Sequence, residues 1–381
     1  MSRAPGVREQ RSEIVDAARA GGPARRSVVV ATGHCIPDRV VRNAEFVAHE
    51  FFDAQGKRLD PAANGRVVAK FEEITEIAER RFASEDLVTS DLAHSAAEKA
   101  LASGDIDPES LDYVIVAHNF GDVPARNLRS DLVPTLAARV KRKLGIRNAG
   151  CVAYDLPFGC PGWLQGVIQA DYFLRSGDAR RALVIGAETL SRVSDPHDRD
   201  SMLYSDGAGC AVLEARESAE PVGILSHATR SDALEHAPLM WMGSSNDPRH
   251  DDGPLYLKME GRKLYEYAVT TVPGLILESL RKAGLQLGDV AKVLMHQANA
   301  KMNSMILKRL FKLAGEAEAP AGVMPMTISW LGNSSVATIP TLLDLVVRGE
   351  LDGQRLASGD VVVFAAVGAG MNINSVVYRW P

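Results

Sequence analysis

Short runs of β-branched and other apolar residues alternate along the chain with longer stretches in which apolar positions recur every three or four residues. Val28 to Ala31, Tyr113 to Ala117, Ala182 to Ile185, Val293 to Met295 and Val361 to Ala365 predict buried strands. Between them, Leu136, Val140 and Leu144 keep i, i+4 spacing. Leu164, Val167, Ile168 and Leu174 form the apolar stripe of a helix that Gly177 closes. Strands alternating with helices predict an α/β fold whose helices cover the sheet.

The pattern also echoes itself. "LDYVIVAHN", a helix, "DLPFGCPGWLQG", a helix and "ARRALVIGAE" are answered later by "VAKVLMHQAN", a helix, "ISWLGNSSVAT", a helix and "GDVVVFAAVGAG". Two equivalent halves would present equivalent loops to one central site. The stretches "FFDAQGKRLDPAANGRVVAKFEEITEIAERRF" and "SHATRSDALEHAPLMWMGSSNDPRHDDGPLY" are polar or turn-rich with little periodicity, as in surface excursions able to cover a substrate entrance.

Composition narrows the function classes. The 381 residues are 46% hydrophobic and 24% charged, enough for a large buried core. A net charge of -5, spread along the chain, gives no electrostatic case for nucleic acid or a membrane surface. No apolar run approaches the roughly 18 residues of a membrane helix. Residues 1–26 lack a hydrophobic signal-peptide core and read as a flexible extension, which predicts a cytoplasmic protein. Cys35, Cys151, Cys160 and Cys210 form no CxxC pair, so neither a disulfide framework nor a metal site is expected.

Candidate chemistry centres on "DLPFGCPGW". Pro161 opens an amphipathic helix directly after Cys160, where the positive end of the helix dipole is expected to lower the thiol pKa. A buried structural cysteine is the commoner fate of a lone thiol, but Gly159 and Gly162 clear space for a substrate and for a backbone N–H to face an oxyanion. "HQAN", with His296 and Asn299, follows a strand, and "GNSS", with Asn333, precedes a helix at the echoed position.

Together with "YSDGAG", "WLGNSSVATIP" and "VGAGMN", these motifs resemble the β-ketoacyl-acyl-carrier-protein synthase III family of the thiolase-like superfamily, from about Val28 to the C-terminus. The resemblance implies a five-layered α-β-α-β-α fold of two βαβαβ halves, here 27–215 and 216–381, and a homodimer. It also implies a Cys-His-Asn triad at Cys160, His296 and Asn333. Cys160 would accept an acyl group from an acyl-coenzyme A or acyl-carrier thioester. His296 and Asn333 would then stabilise the enolate left when a malonyl-type thioester loses CO₂. No metal or prosthetic cofactor is implied. The oxyanion and substrate positions fall on Gly368 and Ala369, in the Val367 to Gly370 loop, with Arg199 against a coenzyme A adenine and Lys301 near the carrier-protein docking face. "DGAG" matches a structural turn behind the site.

Some positions depart from the family pattern. Lys70 stands near a Trp that usually completes the adenine clamp, and Glu76 stands where Gly is usual. "GCPG" replaces "ACSG", so Phe158 and Trp163 are candidates for reshaping the acyl pocket, and "HNFGDVPARN" replaces a loop of small residues. These departures resemble a specialised subgroup using longer or carrier-bound acyl groups, including ketosynthases that join two acyl chains and cyclise them to dialkylresorcinols. A papain-like Cys-His-Asn hydrolase does not match the chain order or local signature, and retention of all three residues argues against a non-catalytic acyl-binding relative.

Overall fold

The computed structural model describes residues 24–381 apart from 128, 251 and 252. The extension expected over 1–26 lies outside the described residues as far as 23, and Ala24 to Arg26 already belong to the first strand, β1 (Ala24–Cys35). β2 (Arg39–Arg42) and β3 (Glu79–Phe82) form a small antiparallel pair. β1 then joins β4 (Tyr113–His118), β5 (Val152–Pro157), β6 (Arg181–Thr189) and β7 (Asp206–Ser218) in a sheet of order β1-β7-β6-β4-β5.

The second half repeats this plan. β8 (Gly223–Ser231) precedes a two-stranded ribbon, β9 (Met240–Gly243) with β10 (Tyr256–Met259). β11 (Val290–Met295), β12 (Val361–Gly368) and β13 (Asn372–Arg379) complete a sheet of order β11-β12-β13-β8. Its parallel and antiparallel pairings match those of the first sheet, with no counterpart of β5 among the described residues. Because β7 runs to Ser218, the halves meet in the turn 219–222.

The continuous apolar strands are explained by burial on both faces. In β4 and β6, Ile115, Ala117, Ala182 and Val184 face one core, while Val114, Val116, Leu183 and Ile185 face another. β12 divides likewise, with Val362, Phe364 and Ala366 inward and Val361, Val363 and Ala365 outward.

The chain order of helices is α1 (Asn64–Thr75), α2 (Thr89–Ser103), α3 (Leu136–Lys143), α4 (Gly162–Ser176), α5 (Gly261–Lys282), α6 (Ala300–Ala314) and α7 (Thr338–Arg348). α4 and α7 lie in the core between the two sheets, α2 and α3 cover the outside of the first, and α5 and α6 the outside of the second. Five layers result, as the family resemblance implies.

The middle layer is tight. A methyl group at Gly186 of β6 would lie 2.3 Å from the carbonyl oxygen of Val336, just before α7. Buried Asp344 of α7 joins the halves: it accepts from Thr32 Oγ1 at 2.5 Å and Arg348 Nε at 2.8 Å, and meets His34 Nδ1 at 2.6 Å. Burial raises its pKa, but these three partners outweigh that and hold it below the usual carboxylate value. "DGAG" is not a turn; it begins β7, where Asp206 accepts from Ser191 and from the Ala83 N–H.

Candidate active site

Loops at the carboxyl ends of β4, β6, β11 and β12 converge on one cavity, the usual place for a ligand in an open α/β sheet. Cys160, His296 and Asn333 all line it, although they come from three separate loops. The cavity is narrow, with a volume of about 70 Å³. Leu190, Met240, Leu257, Met259, Leu264 and Met302 make most of its wall apolar. Three of these belong to the β9–β10 ribbon: Met240 lies in the turn-rich stretch that shows little periodicity in sequence, and Leu257 and Met259 directly follow it.

Cys160 sits between β5 and α4. Pro161 is the N-cap of α4, one position earlier than the sequence pattern implies, and Gly159 is left-handed at φ 72. The loop of the second half interlocks here: a methyl on Gly159 would approach the Ala369 nitrogen to 3.0 Å, and one on Gly368 would lie 2.7 Å from the Cys160 nitrogen. Gly368 and Ala369 therefore lie beside Cys160.

The lowered thiol pKa is a correction. Burial, with a further push from nearby Glu188, raises the Cys160 thiol to about 11; a hydrogen bond from Ser335 Oγ to Sγ at 3.1 Å pulls the other way. The Gly162 N–H at the head of α4 is already bonded to the Gly159 carbonyl at 2.9 Å, which removes one of the donors that would have favoured a thiolate.

His296 follows β11. Its N–H donates to the Ala365 carbonyl at 2.9 Å, and its own carbonyl accepts from Asn303 Nδ2 at 3.0 Å. Burial lowers its ring pKa to about 4, opposed in part by the Ser335 main chain, so the imidazole is neutral at physiological pH. Gln297 fixes the neighbouring segment by bonding Pro325 and Thr327.

Asn333 is stitched to the first half. Its N–H donates to the Leu203 carbonyl and its carbonyl accepts from the Ser205 N–H, both at 2.9 Å. Oδ1 accepts from the Ser335 N–H at 2.8 Å. With Oδ1 engaged, the amide presents Nδ2, a pure donor, for other contacts.

Two expected substrate residues lie elsewhere. Trp163 is 2% exposed, donates Nε1–H to the Val184 carbonyl at 3.1 Å and packs edge-on against Phe364, inside the middle layer rather than on the cavity. Asn299 caps α6, with Oδ1 accepting from the Met302 N–H at 2.8 Å. Phe158 lines a second, outer cleft with Trp241 and Met242. This cleft shares Asn119, Phe120, Gly159, Met240, Leu257 and Ala369 with the main cavity.

Arg199 lies apart from the thiol, in a groove with Arg66, Lys70 and Phe71. Lys70 pairs with Glu73 at 2.7 Å, and Lys301 is exposed in the first turn of α6, which packs against α1. Glu76 ends α1 at φ 59, the left-handed conformation that Gly adopts without strain. Asn119, Glu188 and Ser335 fall within "HNFGDVPARN", "ARRALVIGAE" and "GNSS", yet the sequence assigns them no role, and only their mutual bonds single them out.

His197, Asp247 and His250 bring ligand-type atoms within 4.8 Å of one another. The Asp247 carboxylate is, however, taken by Arg249, through Nε and Nη2 at 2.6 to 3.0 Å. Among the described residues no helix is long and apolar enough to cross a membrane.

Known proteins resemble this chain over nearly its whole length. Residues 154–233 match the 3-oxoacyl-[acyl-carrier-protein] synthase III model and 280–380 its C-terminal counterpart. A beta-ketoacyl-[acyl-carrier-protein] synthase III of Bradyrhizobium sp. is 35% identical over 93% of this chain and 99% of its own. The beta-ketoacyl-[acyl-carrier-protein] synthase III structure from Thermus thermophilus superposes with a TM-score of 0.75 at 32% identity, covering 93% of this chain and 99% of that one. A priming beta-ketosynthase of a polyketide biosynthetic pathway gives 0.76 at 26% identity, covering 94% and 98%.

Proposed function

The chain belongs to the 3-oxoacyl-[acyl-carrier-protein] synthase III family of condensing enzymes, and from that membership we propose how its own residues form the carbon–carbon bond. Its activity is that of a β-ketoacyl synthase III-type acyltransferase, using acyl thioesters and acyl carrier protein. The observation that carries the residue assignment is the meeting of Cys160, His296 and Asn333 on one apolar cavity.

In the first step Cys160 Sγ attacks the carbonyl carbon of an acyl thioester. The oxyanion lies against the Cys160 N–H and the main chain at Gly368 and Ala369, and the departing thiolate takes up the proton lost by the thiol. In the second step a malonyl-type thioester binds, its C–C bond breaks, CO₂ leaves, and the electron pair becomes an enolate. Neutral His296 and the Nδ2 of Asn333 donate hydrogen bonds to that oxygen. The enolate carbon then attacks the acyl-cysteine, and Cys160 departs as thiolate and is reprotonated. Decarboxylation supplies the carbanion, so these steps call for no metal or prosthetic group.

The primer in this reading is carrier-bound. With Lys70 in place of an aromatic residue, the groove at Arg199 offers the cations Arg66, Lys70 and Arg199, suited to a phosphopantetheine phosphate, and Lys301 faces the carrier from α6. A homodimer working in the cytoplasm completes the proposal; Leu132 and Val133, 50% and 85% exposed, offer apolar surface for a second copy.

A second reading is favoured by the outer cleft. The cavity and the open cleft that adjoins it at Gly159 could each hold an alkyl chain, as required to join two acyl groups and cyclise them to a dialkylresorcinol. Intact mass spectrometry with a panel of acyl-carrier and acyl-coenzyme A thioesters, followed by product analysis, tests both. A carrier-dependent adduct on Cys160 supports the proposal, absence of any adduct refutes it, and formation of 3-oxoacyl products alone rejects the cyclising reading.

A further inference from the structure

Behind the thiol lies a chain of hydrogen bonds in which every donor is accounted for. Ser335 Oγ is 3.1 Å from Cys160 Sγ, and Asn119 Nδ2 is 3.0 Å from Ser335 Oγ. The same Nδ2 donates to Glu188 Oε1. An amide nitrogen only donates, so its bond to Ser335 occupies a hydroxyl lone pair and leaves the single O–H of Ser335 to point at sulfur. The other Nδ2 hydrogen is held by Glu188, which fixes which way the Asn119 amide faces. Glu188 is 1% exposed.

The backbone supports the same direction. Ser335 is held at φ 50, a left-handed conformation that is costly for a residue with a side chain, while its N–H is tied to Asn333. Strain of this kind at a residue touching the reacting atom points to a positional requirement.

We infer that Ser335 is a catalytic residue whose hydroxyl stabilises the Cys160 thiolate, and that Asn119 and Glu188 are positioning residues that lock this hydroxyl onto the sulfur. The inference rests on the reading of Cys160 as the acyl acceptor. A thiolate exists twice in the cycle, when Cys160 attacks and when the condensed product leaves it, so one donor serves both half-reactions. The other titratable groups around the sulfur are His296, from the loop after β11, Glu188 of β6 and Tyr204 before β7. None is a cation at neutral pH: burial lowers the His296 pKa and raises those of Glu188 and Tyr204. In a site without a positive charge, a directed neutral donor carries more of the stabilisation.

The test is the rate of iodoacetamide alkylation of Cys160, followed by peptide mass from about pH 7 to about pH 10, a range in which the thiolate fraction sets the rate. Ser335→Ala, which leaves the main-chain bond to Asn333 in place, is expected to slow alkylation roughly tenfold throughout, the equivalent of a thiol pKa about one unit higher. Asn119→Leu, which does not touch the sulfur, should slow it in the same direction. Glu188→Leu and Glu188→Gln both remove the charge that pushes the thiol pKa up, so the chain is read from the difference between them: Glu188→Gln, whose carbonyl still accepts from Asn119, should alkylate several-fold faster than Glu188→Leu. Wild-type alkylation in Ser335→Ala overturns the inference, and wild-type alkylation in Asn119→Leu overturns the positioning chain. Loading of Cys160 by acyl thioesters is read separately by intact mass, so failure of the nucleophile assignment is distinguishable from failure of the hydrogen-bond chain.

Discussion

Gly368 lies so close to Cys160 that a methyl group on its Cα would stand 2.7 Å from the Cys160 nitrogen and 2.8 Å from its Cβ. Cys160 of one half is thus seated against the bare backbone of the other. Gly368→Ala should abolish the acyl adduct detected by intact mass. Gly261→Ala, where nothing lies within 4 Å and the residue opens a helix, should leave it intact. An adduct of normal yield in Gly368→Ala would show that the loops are not in contact during catalysis.

Cys160 and Asn333 should separate the two half-reactions. Cys160→Ala removes the bond-forming sulfur and is expected to give no acyl-enzyme. Asn333→Ala should still be acylated, but condense on the order of 10² to 10³ times more slowly, the usual cost of deleting one oxyanion donor. Rapid-quench measurement of both steps checks this division, and normal condensation in Asn333→Ala would remove that residue from the mechanism.

Burial of His296 has a consequence for stability. Its ring pKa falls from the ordinary 6.5 to about 4, so between those values the unfolded chain binds a proton that the folded chain does not. The stability held above pH 6.5 is therefore lost as pH falls through this window, by about 3 kcal/mol in full. Asp200, raised to about 6 by burial, acts with the opposite sign, but does so in wild type and variant alike. Urea unfolding should show a shallower loss on acidification in His296→Asn than in wild type. A difference between the two that does not change with pH would contradict the buried neutral ring.

Asp344 ties Thr32 and His34 of β1 to Arg348 of α7. Asp344→Ala leaves these partners without their common acceptor and should cost about 3 kcal/mol in equilibrium unfolding. Asp344→Asn, which can still accept one of the bonds, should cost less. Equal stability of the alanine variant and wild type would mean that this cluster does not help to hold the halves together.

Arg199→Ala should raise KM for a carrier-bound thioester several-fold with little change in kcat, because its groove is remote from Sγ. The effect should shrink as salt screens the other cations. An equal effect on a short thioester lacking the pantetheine arm would point to a structural role.

Where each residue's environment is set by its own strand or helix, the sequence was a faithful guide. The apolar runs of β4, β6 and β12 fall in strands because each is buried on alternate faces, and the echo between halves is visible as one strand order used twice. Trp163 and Asn299 were misplaced because nearness in sequence to a reactive residue does not fix direction. One helical step turns Trp163 into the middle layer, and a cap consumes the Asn299 side chain. The Cys160 pKa was misjudged because a helix end is a local signal and burial is not. Ser335, Asn119 and Glu188 come from three distant segments, so no spacing along the chain could reveal that they share bonds.

The β9–β10 ribbon stands outside both sheets of the five-layered fold, yet places Met240, Leu257 and Met259 on the cavity. In the proposed function, part of the wall that would measure the acyl chain is therefore structurally separate from the residues that would transform it. A different ribbon could be grafted between β8 and α5 to change the length of alkyl chain accepted, while the sulfur, imidazole and amide stay where the sheets hold them.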